Sequence, residues 1–90
     1  MPVEDYEKIF KALADKNRLQ ILTLLQSGEK CACVLLEDLH LSQSGLSYHM
    51  KQLSGAQLVN SRQVGKWTHY TINKEAWQEL IEVIEIFLNE

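Results

Sequence analysis

Apolar residues recur along this chain in two rhythms, and the switch between them divides it. From Val3 to Leu13 the residues Val3, Tyr6, Ile9, Phe10 and Leu13 fall at steps of three and four, which predicts a first amphipathic helix. Asp15 or Asn17 can cap a second helix, which Leu19, Ile21, Leu22, Leu24 and Leu25 make apolar over much of its circumference, as a central core helix would be; Gly28 ends it. A short third helix is predicted from about Cys31 to Leu39, with Val34, Leu35 and Leu39 facing inward, then a turn at His40 and Leu41. Ser42 suits the N-cap of a fourth helix reaching about Ser54, with Leu46, Met50 and Leu53 as its buried stripe and Gly55 as its stop. Beyond Gly55 the rhythm changes. Leu58–Val64 and Trp67–Ile72 are β-prone runs joined around Gly65 and Lys66, which predicts a hairpin. Asn73 can cap a last helix on which Trp77, Leu80, Ile81, Ile84, Phe87 and Leu88 form a wide apolar stripe opposite Glu79, Glu82 and Glu85. So wide a stripe needs a cover. The simplest is the first helix together with the same helix of a second copy; packing within one subunit is the alternative.

Charge is distributed as unevenly as hydropathy. Leu39 to Lys74 holds Lys51, Arg62, Lys66 and Lys74 with no Asp or Glu, a balance of +4, and contains His40, His49 and His69; the rest carries 5 basic and 12 acidic residues, or −7, giving the whole-chain value of −3. A cationic face on an acidic body still creates the local potential that phosphates feel. The 90 residues can bury only a thin core, which favours a partner subunit. An apolar fraction of 46% with one Pro and four Gly suits an ordered, mostly helical chain without repeats or linkers. No apolar run approaches the roughly 18 residues of a membrane span, so no membrane partner is expected, and the acidic start (Glu4, Asp5, Glu7) is unlike a signal peptide. A cytoplasmic location is therefore expected, and with it reduced thiols at Cys31 and Cys33.

The fourth helix and the hairpin carry the candidate chemistry. Opposite Leu46, Met50 and Leu53 stand Ser42, Gln43, Ser44, Ser47, Tyr48, His49, Lys51 and Gln52, an outer face of short polar groups without acid. Gln43 offers the paired donor and acceptor that match adenine; Ser44, Ser47, Tyr48 and His49 suit base edges or phosphates, and Lys51 and Gln52 the flanking backbone. Arg62, Gln63, Lys66 and Thr68 lie on or near the hairpin tip, where a cationic finger can follow the sugar-phosphate backbone, while His69 reads as a packing or phosphate residue. So few cations per subunit favour two copies on an inverted repeat. An enzyme is not expected, since no Ser, His and acid set has recognisable spacing and no glycine-rich phosphate loop occurs.

Together, Leu13-Ala14-Asp15-Lys16-Asn17-Arg18-Leu19-Gln20-Ile21-Leu22, Cys31-Ala32-Cys33-Val34, Leu41-Ser42-Gln43-Ser44-Gly45-Leu46-Ser47-Tyr48-His49-Met50-Lys51-Gln52-Leu53 and the wing Val64-Gly65-Lys66-Trp67-Thr68-His69-Tyr70 resemble the ArsR/SmtB family of small bacterial repressors. The resemblance covers nearly the whole chain. It implies a mainly α fold, a winged helix-turn-helix of five helices and a two-stranded wing, with residues 1–90 forming one domain. It further implies a homodimer joined through its first and last helices that binds double-stranded operator DNA and lets go when an effector binds.

In arsenic-responsive members of that family a C-x-C at the start of the third helix supplies thiolate ligands, and Cys31 and Cys33 stand there. Two soft thiolates fit trivalent arsenic and antimony; cadmium, lead and zinc rank below them, and no cofactor is expected to be needed for folding. Two positions in a regular helix differ by about 200°, so both thiols are expected to meet one ion only if the first turn of the third helix unwinds or shifts. A third cysteine carried by some arsenic sensors would fall at Leu36 and is absent, and the last helix lacks the His and acidic ligands of zinc sensors. Two other readings stay open: a repressor using the cysteines as a redox switch or lacking a metal effector, and a winged-helix module that docks a protein instead of DNA. The redox switch ranks lower because cysteines two apart close a strained ring.

Overall fold

Three of the five helices begin at a side-chain oxygen. Asp15 accepts from the Arg18 amide at 3.1 Å, Ser42 from the Gly45 amide at 3.0 Å and Asn73 from the Ala76 amide at 3.5 Å, each satisfying an amide that the first helical turn leaves unpaired. The computed structural model describes residues 1–89, in the order α1 (Val3–Leu13), α2 (Lys16–Leu25), β1 (Lys30–Cys31), α3 (Ala32–Leu39), α4 (Gln43–Gly55), β2 (Val59–Val64), β3 (Trp67–Ile72) and α5 (Lys74–Leu88). The helices lie where the periodicity places them, to within a residue or two. His40 closes α3 in the left-handed conformation at φ 54°, which turns the chain sharply into α4.

The sheet departs from expectation. Its order is β1-β3-β2, all antiparallel, so the predicted two-stranded wing gains a third, two-residue strand through the pairs Lys30 with Tyr70 and Cys31 with His69. Two residues are too few to show a period of two, which is why the strand is silent in sequence. β2 and β3 pair from Val59 with Ile72 to Val64 with Trp67, and Gly65, at φ 61°, makes the turn at the tip.

Ile21, Leu25, Leu35, Leu53 and Leu58 are the most deeply buried side chains, which places the core where α2, α3, α4 and the base of the hairpin meet. Trp77 packs against it and donates from Nε1 to the Leu58 carbonyl at 3.1 Å. Two expected inward positions are corrected. Val34 is 38% exposed because Leu35 and Leu39 already fill the inner face of α3, and Leu19 is 49% exposed, so α2 keeps one apolar residue on its surface. On α5, Leu80 and Val83 are buried, whereas Ile81, Ile84, Phe87 and Leu88 are exposed beyond the reach of the core. Among the described residues, the edge-on contact of Tyr6 with Phe87 is the one aromatic contact that joins α1 to the end of that helix, and Tyr6 also meets Phe10 edge-on within α1. The radius of gyration of 13.8 Å exceeds the about 12 Å of a compact chain of this length. Among the described residues no helix is long and apolar enough to cross a membrane.

Candidate nucleic-acid interface and cysteine pair

The outer face of α4 is assembled as its sequence predicts, with one exception. Ser42, Gln43, Ser44, Ser47, Tyr48, Lys51 and Gln52 are all exposed. Ser42 is also the cap, and its Oγ lies 3.3 Å from that of Ser44. Across a cleft of about 210 Å³, Gln43 and Ser47 face Lys66 and Thr68 of the wing, so the first half of α4 and the hairpin tip line one concave surface. Thr68 donates to Gln63 Oε1 at 2.9 Å and the Gln63 amide donates to the Gly65 carbonyl at 3.2 Å, which stiffens the tip and leaves Lys66 exposed.

The exception is His49, whose expected place on the outer face is corrected: the residue is 9% exposed. Its Nδ1 lies 3.2 Å from Arg18 Nη1 and 3.9 Å from Asp15 Oδ1. A guanidinium can only donate, so Nδ1 accepts and the ring proton sits on Nε2. Arg18, itself 9% exposed, also donates from Nε to the Ala12 carbonyl at 2.6 Å and from Nη2 to the Lys11 carbonyl at 3.5 Å, closing the C-terminal end of α1. One buried guanidinium thus ties α1 and α2 to α4. The hydrogen bond from the Arg18 amide, and after it the guanidinium charge, hold the Asp15 carboxyl below the usual carboxylate range. His49 stands three residues after Leu46 and one before Met50, on the buried stripe of α4, and that spacing is the sequence signal that places it inside.

Nor is the charged face free of acid once folded. Arg62 donates from Nε and Nη2 to the two carboxylate oxygens of Glu29 at 2.6 and 2.8 Å, 33 positions apart in sequence. His69 Nδ1 is 3.8 Å from the same carboxylate. The Arg62 hydrogen bond lowers the pKa of Glu29 and Glu29 raises that of Arg62. Lys74, counted with the cationic segment, instead lines the groove between α2 and α5 with Leu19 and Trp77. No local signal marks Glu29, because its partner is set by the pairing of β1 with β3.

Two expectations about the cysteines are also corrected. The thiols were expected to be reduced and to point to opposite sides of a helix; the structure joins Cys31 and Cys33 in a disulfide, with Cα atoms 5.2 Å apart, a separation usual for bonded cysteines. The physical reason is that Cys31 is not helical: it is the N-cap of α3, with extended φ and ψ of −67° and 144°, and its sulfur accepts from the Cys33 amide at 3.1 Å. Both sulfurs meet over the first turn without unwinding it. Both residues are half-buried, and among the described residues no group of three or more His, Cys, Asp or Glu is arranged to hold a metal ion.

Comparison with known proteins converges on one family. The profile described as bacterial regulatory protein, arsR family, matches residues 15–61. The arsenical resistance operon repressor of Bacillus subtilis is 46% identical over 78% of this chain and 68% of its own length. That of Staphylococcus aureus is 41% identical over 96% and 83%. Among solved structures, a homodimeric winged helix-turn-helix DNA-binding domain from Mycobacterium bovis superposes with a TM-score of 0.78 at 27% identity, covering 98% of this chain and 82% of that one.

Proposed function

The chain belongs to the arsR family of bacterial regulatory proteins, and from that premise we propose that it is a DNA-binding repressor released from its operator when arsenite or antimonite binds Cys31 and Cys33. The observation that carries the effector half is the meeting of the two sulfurs at the N-terminal end of α3. Once reduced, the two sulfurs would act as a soft chelate for a thiophilic centre at this helix end, beside the Cys33 amide that donates to the Cys31 sulfur. The third position of a trigonal metalloid is left to water or an external thiol. Because Cys31 caps α3 and only His40, Leu41 and Ser42 separate α3 from α4, a ligand that draws on the Cys31 sulfur competes with the cap and biases the placement of the reading helix. Cadmium, lead and zinc fit a two-sulfur set less well.

Ser42, Gln43, Ser44, Ser47 and Tyr48 are proposed to meet base edges and adjacent phosphates in the major groove, and Lys51, Gln52, Arg62 and Lys66 the backbone. His49 is left out of this set by its burial. The exposed apolar faces of α1 and α5 support a two-fold dimer, as does the homodimer from Mycobacterium bovis. Residues 1–90 then act as one domain in the cytoplasm.

The test is a titration of the reduced protein with arsenite while binding to an operator duplex is followed. Cys31→Ser and Cys33→Ser are expected to keep DNA binding and lose the release; a retained arsenite response in the double variant contradicts the assignment. The disulfide itself favours a second reading, in which the thiol and disulfide forms differ in DNA affinity without any ion. Loss of binding on oxidation, with no effect of arsenite on the reduced protein, selects it.

A further inference from the structure

Paired residues on neighbouring strands project from the same face of a sheet, and Cys31, His69 and Arg62 form one such row across β1, β3 and β2. Glu29, just before β1, lays its carboxylate over this row, 3.8 Å from His69 and within a bidentate hydrogen-bonded pair with Arg62. The planar fork of a guanidinium receives a carboxylate in the same geometry as a phosphate. The pair is open to water, with side-chain exposures of 65% for Arg62 and 30% for Glu29, so another anion can reach the guanidinium and exchange with the carboxylate, unlike at the buried Arg18 set.

We propose that Glu29 is an internal counter-ion of the wing, occupying Arg62 as a stand-in for a DNA phosphate and lowering the affinity of the protein for the double helix. The inference rests on the DNA-binding reading above. When DNA binds, Arg62 exchanges carboxylate for phosphate, and Glu29 is left beside His69 close to the anionic backbone. The exchange releases little net counter-ion, so Arg62 adds less to the salt dependence than a free cation would. The +4 of Leu39 to Lys74 therefore overstates what the duplex meets.

The experiment compares wild type, Glu29→Gln, Arg62→Gln and the double variant on one duplex selected from a random-sequence pool, between 50 and 200 mM salt. Glu29→Gln is expected to bind more tightly, with a slope of log K against log salt steeper by about 0.9 for each subunit, so that this salt increase costs about threefold more affinity per subunit than in wild type. In the Arg62→Gln background the same change is expected to leave the slope unaltered. An unchanged slope in Glu29→Gln overturns the proposal, as does an equal gain with and without Arg62, which would make Glu29 a general negative charge only. A wild type that binds no duplex at any salt instead overturns the DNA-binding reading itself.

Discussion

Helices α4 and α5 each begin at a capping side chain, Ser42 and Asn73, and each sets an inner stripe against the rest of the molecule, yet their outer faces are finished differently. That of α4 carries polar groups at its exposed positions from Gln43 to Gln52, with the ring of Tyr48 its one large aromatic surface, and loses little by facing water. That of α5 leaves Ile81, Ile84, Phe87 and Leu88 exposed at 47, 44, 72 and 77%. The difference lies in the width of the stripe. Four positions at i, i+3, i+4 and i+7 (Leu46, His49, Met50, Leu53) fit inside one subunit, whereas the band on α5 reaches farther around the helix than α1 and the core can cover. One face is thus complete and available for a polar ligand, and the other is incomplete without a second apolar surface.

The largest expected effect comes from breaking the incomplete face. Fully burying an Ile or Phe side chain contributes about 1.5–3 kcal/mol, and a two-fold interface counts each residue twice. Ile84→Glu combined with Phe87→Glu is expected to leave a folded monomer in sedimentation velocity and to weaken duplex binding by roughly a hundredfold or more, as the energy of two contacts becomes that of one. An unchanged dimer would mean that α5 is covered in another way.

Arg18 sharpens the comparison from the other side, because it anchors the finished face. Arg18→Met keeps the bulk and removes the donors, leaving the Ala12 carbonyl and His49 Nδ1 unpaired. A loss of about 2 kcal/mol in urea unfolding is expected, with Arg18→Lys falling between. Equal stability in Arg18→Met would show that α4 is held by apolar packing alone.

The smallest effect is a dependence on acid. The folded state lowers the Asp15 pKa below its ordinary 3.8, so the stability this carboxylate contributes is present above that value and is lost as pH falls through the lower folded one. Asparagine caps as well but carries no charge. Asp15→Asn is therefore expected to flatten the loss of the urea midpoint between pH 6 and pH 3 while changing it little at neutral pH; an undiminished acid slope would assign the effect elsewhere.

The same contrast of local with distant governs what the sequence discloses. Caps at Asp15, Ser42 and Asn73, the hairpin turn at Gly65 and the stripes of the helices depend on residues within a turn or two of each other, and all are readable. His49 is readable in principle, since its spacing from Leu46 and Met50 outweighs its polarity once Arg18 supplies a partner. Glu29 with Arg62, Arg18 with His49 and the pairing of Lys30 and Cys31 with β3 join residues about 30 or more positions apart, and no periodicity encodes them. Cys31 shows the limit most clearly: a shift of one residue in the helix start moves its sulfur from the far side of α3 to its cap.

The central claim is that two copies, joined through α1 and α5, present α4 and the wing to one duplex. Sedimentation velocity of the reduced protein, alone and with a labelled duplex selected from a random-sequence pool, tests it most directly. The account predicts a dimer in free solution and two chains on each bound duplex, with binding that weakens steeply as salt rises. A monomer that leaves the duplex sedimenting alone at 50 mM salt would contradict it.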